Sequence, residues 1–284
     1  MKASLVFLLC LTLMGFAANS LLVRAALKSE LIDPASFTIW RLCSGAVVLF
    51  LLVLWRGSVK QLSCSAANLA SALTLLAYAT CFSFAYINLD AGLGALLLFA
   101  SVQLAMSAFV WFKGQRFGLY EYLGFALALS GLVILSNPFS LQFPLVSTLL
   151  MIGSGVAWAA YSLLGQGSKD AISDSALAFM LAGPLSFLLL LVPGHVLHSS
   201  QWGIILALAS GAVCSALAYA LWYSVLPKLK AQTAAVAQLS VPLITAVVAF
   251  ILLAEPLGWR FIISAVLILG GIAAVALSKK VDKN

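Results

Sequence analysis

Phe16-Ala17-Ala18-Asn19-Ser20-Leu21-Leu22 returns as Trp158-Ala159-Ala160-Tyr161-Ser162-Leu163-Leu164, five identities in seven positions at an offset of 142, half of the 284-residue chain. The two mismatches exchange one aromatic ring for another (Phe16, Trp158) and one polar side chain for another (Asn19, Tyr161). Both copies end a long apolar run. Self-similarity at this spacing predicts two related halves, each a bundle of the same kind of element.

The solvent of those halves follows from composition. The chain is 64% apolar and only 8% charged, where a soluble domain carries about 25% charged residues. That much apolar surface has no place in a water-soluble core of this size, so the chain reads as an integral membrane protein. The net charge of +7 is no nucleic-acid footprint, because the basic residues fall in short loops and not on one face. Five cysteines (Cys10, Cys43, Cys64, Cys81, Cys214) make no CxxC pair and read as small buried hydrophobes. The N-terminus, Lys2 followed by an apolar run and Ala17-Ala18, imitates a signal peptide. Cleavage there would discard half of the repeat, so this segment reads as a first membrane span.

A membrane helix needs about 20 apolar residues. Charge, proline and glycine divide the chain into runs at 3–24, 34–55, 66–88, 91–112, 118–136, 144–166, 172–192, 201–223, 229–254 and 258–278, giving ten expected spans and no soluble domain. With the N-terminus inside, eleven Lys and Arg side chains fall in cytoplasmic segments and three (Arg24, Lys28, Arg260) outside, with Arg41 inside span two. The positive-inside rule then puts both termini in the cytoplasm. Five spans per half is an odd number, so the second half is expected upside down relative to the first. Leu89, Ala91, Ala95, Gly118 and Gly131 match Leu229, Ala231, Ala235, Gly258 and Gly271 at an offset of 140, which extends the repeat to the later spans.

Beyond FAANSLL and WAAYSLL, the ordered segments IDPASFTIWRL (32–42), ASVQL (100–104), GLVIL (131–135), QLSVPLITA (238–246), AEPLG (254–258) and LGGIA (269–273) resemble the drug/metabolite transporter superfamily, in its EamA-domain group. The resemblance covers essentially the whole chain as two EamA-like five-helix units, 1–142 and 143–284. It implies export or exchange of small metabolites through a central cavity between the halves. Two departures stand out. Gly114-Gln115 replaces the family's usual Gly-Glu, while the second copy keeps its acid as Ala254-Glu255; and Pro242 aligns with Val102, beside Gln103.

Candidate site residues are the polar and aromatic groups inside spans. Arg41 is the one charge well inside a span, roughly 10 Å below the outer end of span two. It reads either as a snorkelling anchor or as an attractor of a substrate carboxylate or phosphate. Asn19 and Tyr161 sit at matched depths of spans one and six, with Trp158 on the face of Tyr161; they are packing polars or cavity lining. Thr74, Tyr78 and Cys81 form one stripe in span three, and Ser215, Tyr219 and Trp222 another in span eight, continuing the small-residue ladder Gly203, Ala207 and Gly211; Tyr78 and Tyr219 read as cavity or core, and Trp222 with Tyr223 as part of an interfacial aromatic belt. Gln103 and Ser107 share a face of span four. Gln238, Pro242 and Thr245 share one in span nine, where proline frees the Gln238 carbonyl and marks a bend at mid-depth.

No span holds a carboxylate or histidine near its centre, which argues against a proton relay built on such groups. Glu255 and Glu121 read as helix-end residues. His195 and His198 lack further ligands for a metal, and Gly165 to Lys169 lacks phosphate-loop spacing. The sequence thus predicts an all-α polytopic membrane protein of ten helices in two inverted repeats, with no cofactor and no metal. It would work as a secondary transporter, exporting or exchanging small metabolites by alternating access, with amino acids or related compounds as the candidate class. Its expected partners are a small-molecule substrate and the lipid bilayer, not nucleic acid. The competing readings are a membrane enzyme or scaffold acting on lipid-linked substrates, and a passive channel.

Overall fold

The structure, a computed structural model, describes residues 3–59, 65–114, 118–136, 144–165, 168, 170–191, 197–225, 228, 237–238 and 240–278. Helices come in the order α1 (Ala3–Lys28), α2 (Pro34–Trp55), α3 (Ala66–Ala85), α4 (Ala91–Phe112), α5 (Leu119–Ser136), α6 (Leu145–Leu164) and α7 (Ala171–Ser186), which runs on as a 3₁₀ turn, Phe187–Leu191. Next is a single rod made of α8 (Gln201–Ala209), a π-helical stretch (Ser210–Leu217) and α9 (Ala218–Val225). α10 (Ser240–Leu253) and α11 (Trp259–Ser278) complete the described bundle. Among the described residues there is no strand, only an isolated antiparallel bridge between Ile32 and Ser199.

Seven stretches are long and apolar enough to cross a bilayer: α1, α2, α3, α4, α6, α7 with its 3₁₀ turn, and the α8–α9 rod. α5 has 18 residues and α11 has 20, while α10, with 14, is the shorter apolar helix. Much of the expected ninth span, 229–236 and Leu239, lies outside the described residues.

Local chemistry sets the helix starts. Asp33 caps α2 by accepting from the Ser36 N–H (2.9 Å), and Pro34 takes the first helical position, where no N–H is needed. Ser65 and Asn68 close a reciprocal capping box on α3. Asp170 caps α7 through the N–H and hydroxyl of Ser173, and Ser200 caps α8 through the Gly203 N–H (3.1 Å).

The side-chain distribution is that of a bundle in lipid. Phe7, Met14, Trp55, Phe112, Val146, Ile251 and Leu252 point outward, while serine, threonine, glycine and alanine fill helix contacts inside. α5 packs along α11, α3 along α6, α2 along α7, and α4 against both α6 and α10; α1 lies against α10 and α9, and α2 against the π stretch. The α5–α11 seam is reciprocal. A Cβ on Gly131 would meet Ile268, Leu267 and the Ser264 carbonyl, and one on Gly271 would meet Ala128, Leu127 and the Gly124 carbonyl. Every one of these residues is answered by the one 140 positions away.

One end of the bundle is tied across the chain. The Asp33 N–H donates to the His198 carbonyl (2.8 Å), the His198 N–H to Asp33 Oδ2 (3.2 Å), and the Ser200 N–H to the Leu31 carbonyl (2.8 Å). We refer to this as the α1–α2 end; the opposite end carries the α6–α7 connection.

Candidate functional site

Arg41 does not snorkel. Its side chain is 1% exposed, held where α2 meets the π stretch and α3. Nε donates to Ser215 Oγ (3.3 Å) and Nη2 to Tyr78 Oη (3.1 Å), while the guanidinium lies 5.1 Å from the Tyr78 ring centroid and 5.0 Å from that of Phe82. Nη1 is buried without an acceptor, and among the described residues no carboxylate comes within ion-pair distance of the group. A guanidinium cannot shed its charge by deprotonation, so a whole positive charge sits inside the bundle balanced only by two hydroxyls and two ring faces.

Around it runs a continuous aromatic cluster. Tyr78 packs at a tilt against Trp158 (4.8 Å between centroids), and Trp158 in turn touches Tyr161 (5.5 Å) and Tyr219 (5.1 Å). Phe16 closes on Tyr219 and Trp222, both at 6.0 Å, and Phe179 on Tyr219 at 6.1 Å. Phe16 and Trp158, the aromatic mismatch of the repeat, therefore approach Tyr219 from α1 and α6. The position of the rings is fixed from behind: Ser154 Oγ donates to the Tyr78 carbonyl (3.0 Å), and Tyr161 Oη donates to Ser175 Oγ (3.2 Å).

Asn19 belongs to the same centre through the π stretch, its Oδ1 accepting from Ser210 Oγ at 2.6 Å. The π turn, absent from the sequence reading, supplies both Ser210 and Ser215, and such wide turns recur at functional sites. Small residues of the rod allow the approach: a Cβ on Gly211 of the π stretch would collide with the Arg41 carbonyl and Ser44, and one on Gly203 of α8 with the Leu31 carbonyl.

Of the expected site residues, the structure thus brings together Asn19, Arg41, Tyr78, Trp158, Tyr161 and Tyr219. Gln103 and Ser107 are half-buried on α4, and Gln238 is half-buried in a helical pair just before α10. Pro242 is the third residue of α10 and buried. Thr245 is buried with its hydroxyl donating to the Val241 carbonyl of its own helix (2.9 Å). The expected bend at Pro242 turns on Leu239 and 229–236, which lie outside the described residues.

A second cluster closes the α1–α2 end. Arg24, on α1, donates from Nε to Glu255 Oε1 (2.9 Å), from Nη1 to the Tyr86 and Ile87 carbonyls (2.9 Å each) and from Nη2 to Asp90 Oδ1 (3.2 Å). Glu255, 3% exposed, accepts at Oε2 from the Ala91 N–H that opens α4 (2.7 Å), where a helix N-terminus favours an anion. Lys28 Nζ reaches the Leu253 carbonyl (3.0 Å) and lies 4.0 Å from Glu255. Ala254, just ahead, holds a positive φ of 51°. The sequence reading placed Glu255 at a helix end and missed its partner. The one available signal was that the acid survives in only one of the two repeat copies.

At the opposite end the ties among the described residues are weaker. Arg56 and Asp170 form a part-exposed pair at 3.6 Å. Burial by itself would raise the Asp170 carboxyl, but the Ser173 hydroxyl and N–H, with Arg56, outweigh it and hold the pKa below its ordinary value. Beside this pair a cleft lined by Ser71, Gly165, Ser168, Ala171, Asp174 and Ser175 runs down to Tyr161. Its volume of about 20 Å³ accommodates about one water.

Known proteins resemble this chain over most of its length. The model of the EamA-like transporter family matches residues 3–137 and again 145–277. An uncharacterized protein of Pseudomonas aeruginosa is 44% identical over 265 residues, covering 93% of this chain and 92% of its own. An uncharacterized transporter of Archaeoglobus fulgidus is 24% identical over 276 residues, covering 93% of this chain and 94% of its own. A protein of known crystal structure superimposes with a TM-score of 0.68 at 15% identity, covering 99% of this chain and all of that one; that likeness speaks for the fold alone.

Proposed function

This chain belongs to the EamA-like transporter family, and from that premise we propose that it is a ten-span secondary transporter that carries a small metabolite by alternating access. The observation that carries the reading is a buried polar-aromatic centre, Arg41, Tyr78, Trp158, Tyr161 and Tyr219, closed at one end of the bundle by ion pairs and approached by a cleft at the other. A permanent pore would leave its lining wet throughout; here the rings touch one another and the cleft at Tyr161 holds about one water.

The inverted arrangement of units 1–142 and 143–284 is part of the proposal. Exchanging α1–α5 with the five later spans turns the α3–α6 contact into that of α1 with the α8–α9 rod, α4–α6 into α1–α10, and α3–α7 into α2 with the rod. The α2–α7, α4–α10 and α5–α11 pairs map onto themselves. Contacts that survive this exchange support a two-fold relation, and five spans per unit make its axis lie in the membrane plane. On the charge distribution, we assign the α1–α2 end to the outside of the plasma or inner membrane and both termini to the cytoplasm. Among the described residues, this conformation is then shut outside by the Arg24–Glu255 pair and has a small cleft on the inside. Outward transport of amino acids or related compounds is the direction and class we propose, from the family's implied activity and the ring-lined centre.

The test is counterflow in liposomes. Vesicles containing the purified protein and a high internal concentration of one unlabelled compound are placed in a trace of the labelled one, over a panel of amino acids, aromatic acids and nucleobases. Transient, saturable uptake above equilibrium is the expected result. Linear, non-saturating flux, or conductance without counterflow, would sink the carrier reading.

A further inference from the structure

We infer that the central site takes an anion, specifically a small organic monocarboxylate whose flat or apolar body rests on Tyr78, Trp158 and Tyr219 while its carboxylate meets Arg41. This rests on the carrier reading and names its substrate class. The argument begins with an unbalanced charge. Arg41 is among the largest fully buried side chains in the molecule, in surroundings where an uncompensated cation is expensive. The other buried arginine, Arg24, shows how this fold settles such a charge: two carboxylates and two carbonyls accept its hydrogen bonds. Arg41 has two hydroxyl acceptors, the faces of Tyr78 and Phe82, and a buried Nη1 with nothing to donate to.

A hydroxyl is a weak partner for a guanidinium, and a carboxylate offers the two-pronged geometry that it matches best. The geometry also limits the anion. One cation balances one negative charge, so a monocarboxylate suits the site better than a phosphate dianion. Ring faces within reach of Arg41 supply an apolar wall: Tyr78 contacts both the guanidinium and Trp158, and Trp158 contacts Tyr219. Nη1 has no open space beside it in this conformation, so the carboxylate arrives as the rings part, and its charge then replaces the missing acceptor. A bound anion would thereby favour the conformation in which Arg41 is open to it.

Three probes of like size separate the possibilities: phenylacetate, phenylacetamide and phenyl phosphate, titrated against the purified full-length protein in nanodiscs and read by calorimetry and by thermal shift. Wild-type protein is expected to bind phenylacetate about 10–100-fold more tightly than the amide, the range of one charge-assisted hydrogen-bonded pair. Arg41→Lys should keep part of that ratio and Arg41→Gln should abolish it, whereas Tyr219→Ala should weaken acid and amide alike. The comparison of acid with amide needs no variant, so poor folding of Arg41→Gln does not remove the test. Equal binding of acid and amide by wild-type protein overturns the anion assignment while leaving the ring-lined site intact. Tighter binding of phenyl phosphate overturns the monocarboxylate assignment. Saturable counterflow by compounds that carry no negative charge, with no acid transported, would also overturn it without touching the carrier reading. Failure of all three probes to bind, together with the absence of any counterflow, overturns the central site itself.

Discussion

At the scale of single residues, the Asn19/Tyr161 mismatch separates into two different jobs. Asn19 accepts from Ser210 in a buried contact between α1 and the π stretch, whereas Tyr161 donates to Ser175 and also lines the cleft. Asn19→Ala should cost about 1–3 kcal/mol, because it strands a buried hydroxyl, lowering the thermal midpoint and slowing all transported compounds alike. Tyr161→Phe should leave the midpoint within a few degrees and change the relative rates of different compounds in counterflow. Equal effects of the two changes on every compound would refute this division. Asp170 gives a pH prediction. Its pKa is lower in the folded protein than the ordinary 3.8, so the unfolded chain binds the proton more readily and the cap contributes fully above that ordinary value. The contribution falls away as pH drops through the folded-state pKa. Asp170→Asn should therefore lose about 1 kcal/mol or less at pH 7, with the gap to wild type closing below pH 3.8 in detergent melts; a constant gap would contradict it. What the sequence disclosed at this scale follows from range. Arg41 was visible as a lone charge in an apolar run, but the Arg24–Glu255 pair spans 231 positions, and each partner by itself looks like an ordinary helix end.

At the scale of elements, the α-helical period found the span-eight stripe and missed the widened turn within it. Ser215, Tyr219 and Trp222 do share a face, meeting Arg41, Trp158 and Phe16 in turn. Periodicity could not disclose the π stretch, since a widened turn depends on what packs around it and leaves composition unchanged. Deleting Val213, which faces outward, should restore α-helical winding and remove the widened turn that spaces Ser210 from Ser215. The variant should keep its helical circular dichroism and lose ligand binding; retained binding would deny the π stretch a role in setting the site. The small-residue ladder was also legible, and the α5–α11 seam sharpens it into a comparison. A Cβ at position 271 would sit 2.4 Å from the Gly124 backbone carbonyl, while one at 131 would first meet the movable Ile268 side chain at 2.8 Å. Gly271→Ala should then cost more than Gly131→Ala, about 1–3 kcal/mol for the former, read as a larger fall in thermal midpoint. The reverse order would show that the seam relaxes at its backbone.

At the scale of the whole molecule, the two ends are unequal among the described residues, and the proposed alternating access would give that inequality a meaning. Arg24, Glu255, Asp90 and Lys28 join α1 to the α3–α4 and α10–α11 connections, while at the other end Arg56 and Asp170 form a part-exposed pair, close to the kind worth about 0–1 kcal/mol. If the α1–α2 end is the outer gate, weakening the buried pair should shift the population toward an outward-open form. Cys214 can report it, being buried in the π stretch between the two serines that bind Asn19 and Arg41. In a protein whose other four cysteines are replaced by serine, Glu255→Gln keeps an acceptor for the Ala91 N–H but removes the charge that holds Arg24. A shift of about 1.4 kcal/mol in the gate equilibrium raises the outward-open population tenfold while that state is rare. The rate at which an impermeant maleimide added outside sealed, right-side-out vesicles modifies Cys214 should rise by about that factor. Saturating substrate should then slow the modification, because the bound compound covers the same centre. Arg56→Gln should leave the outside rate unchanged or lower it, since it loosens the opposite end. If Glu255→Gln instead leaves Cys214 unreactive from outside while lowering the thermal midpoint, the ion-pair cluster is a structural brace and the gate must lie elsewhere.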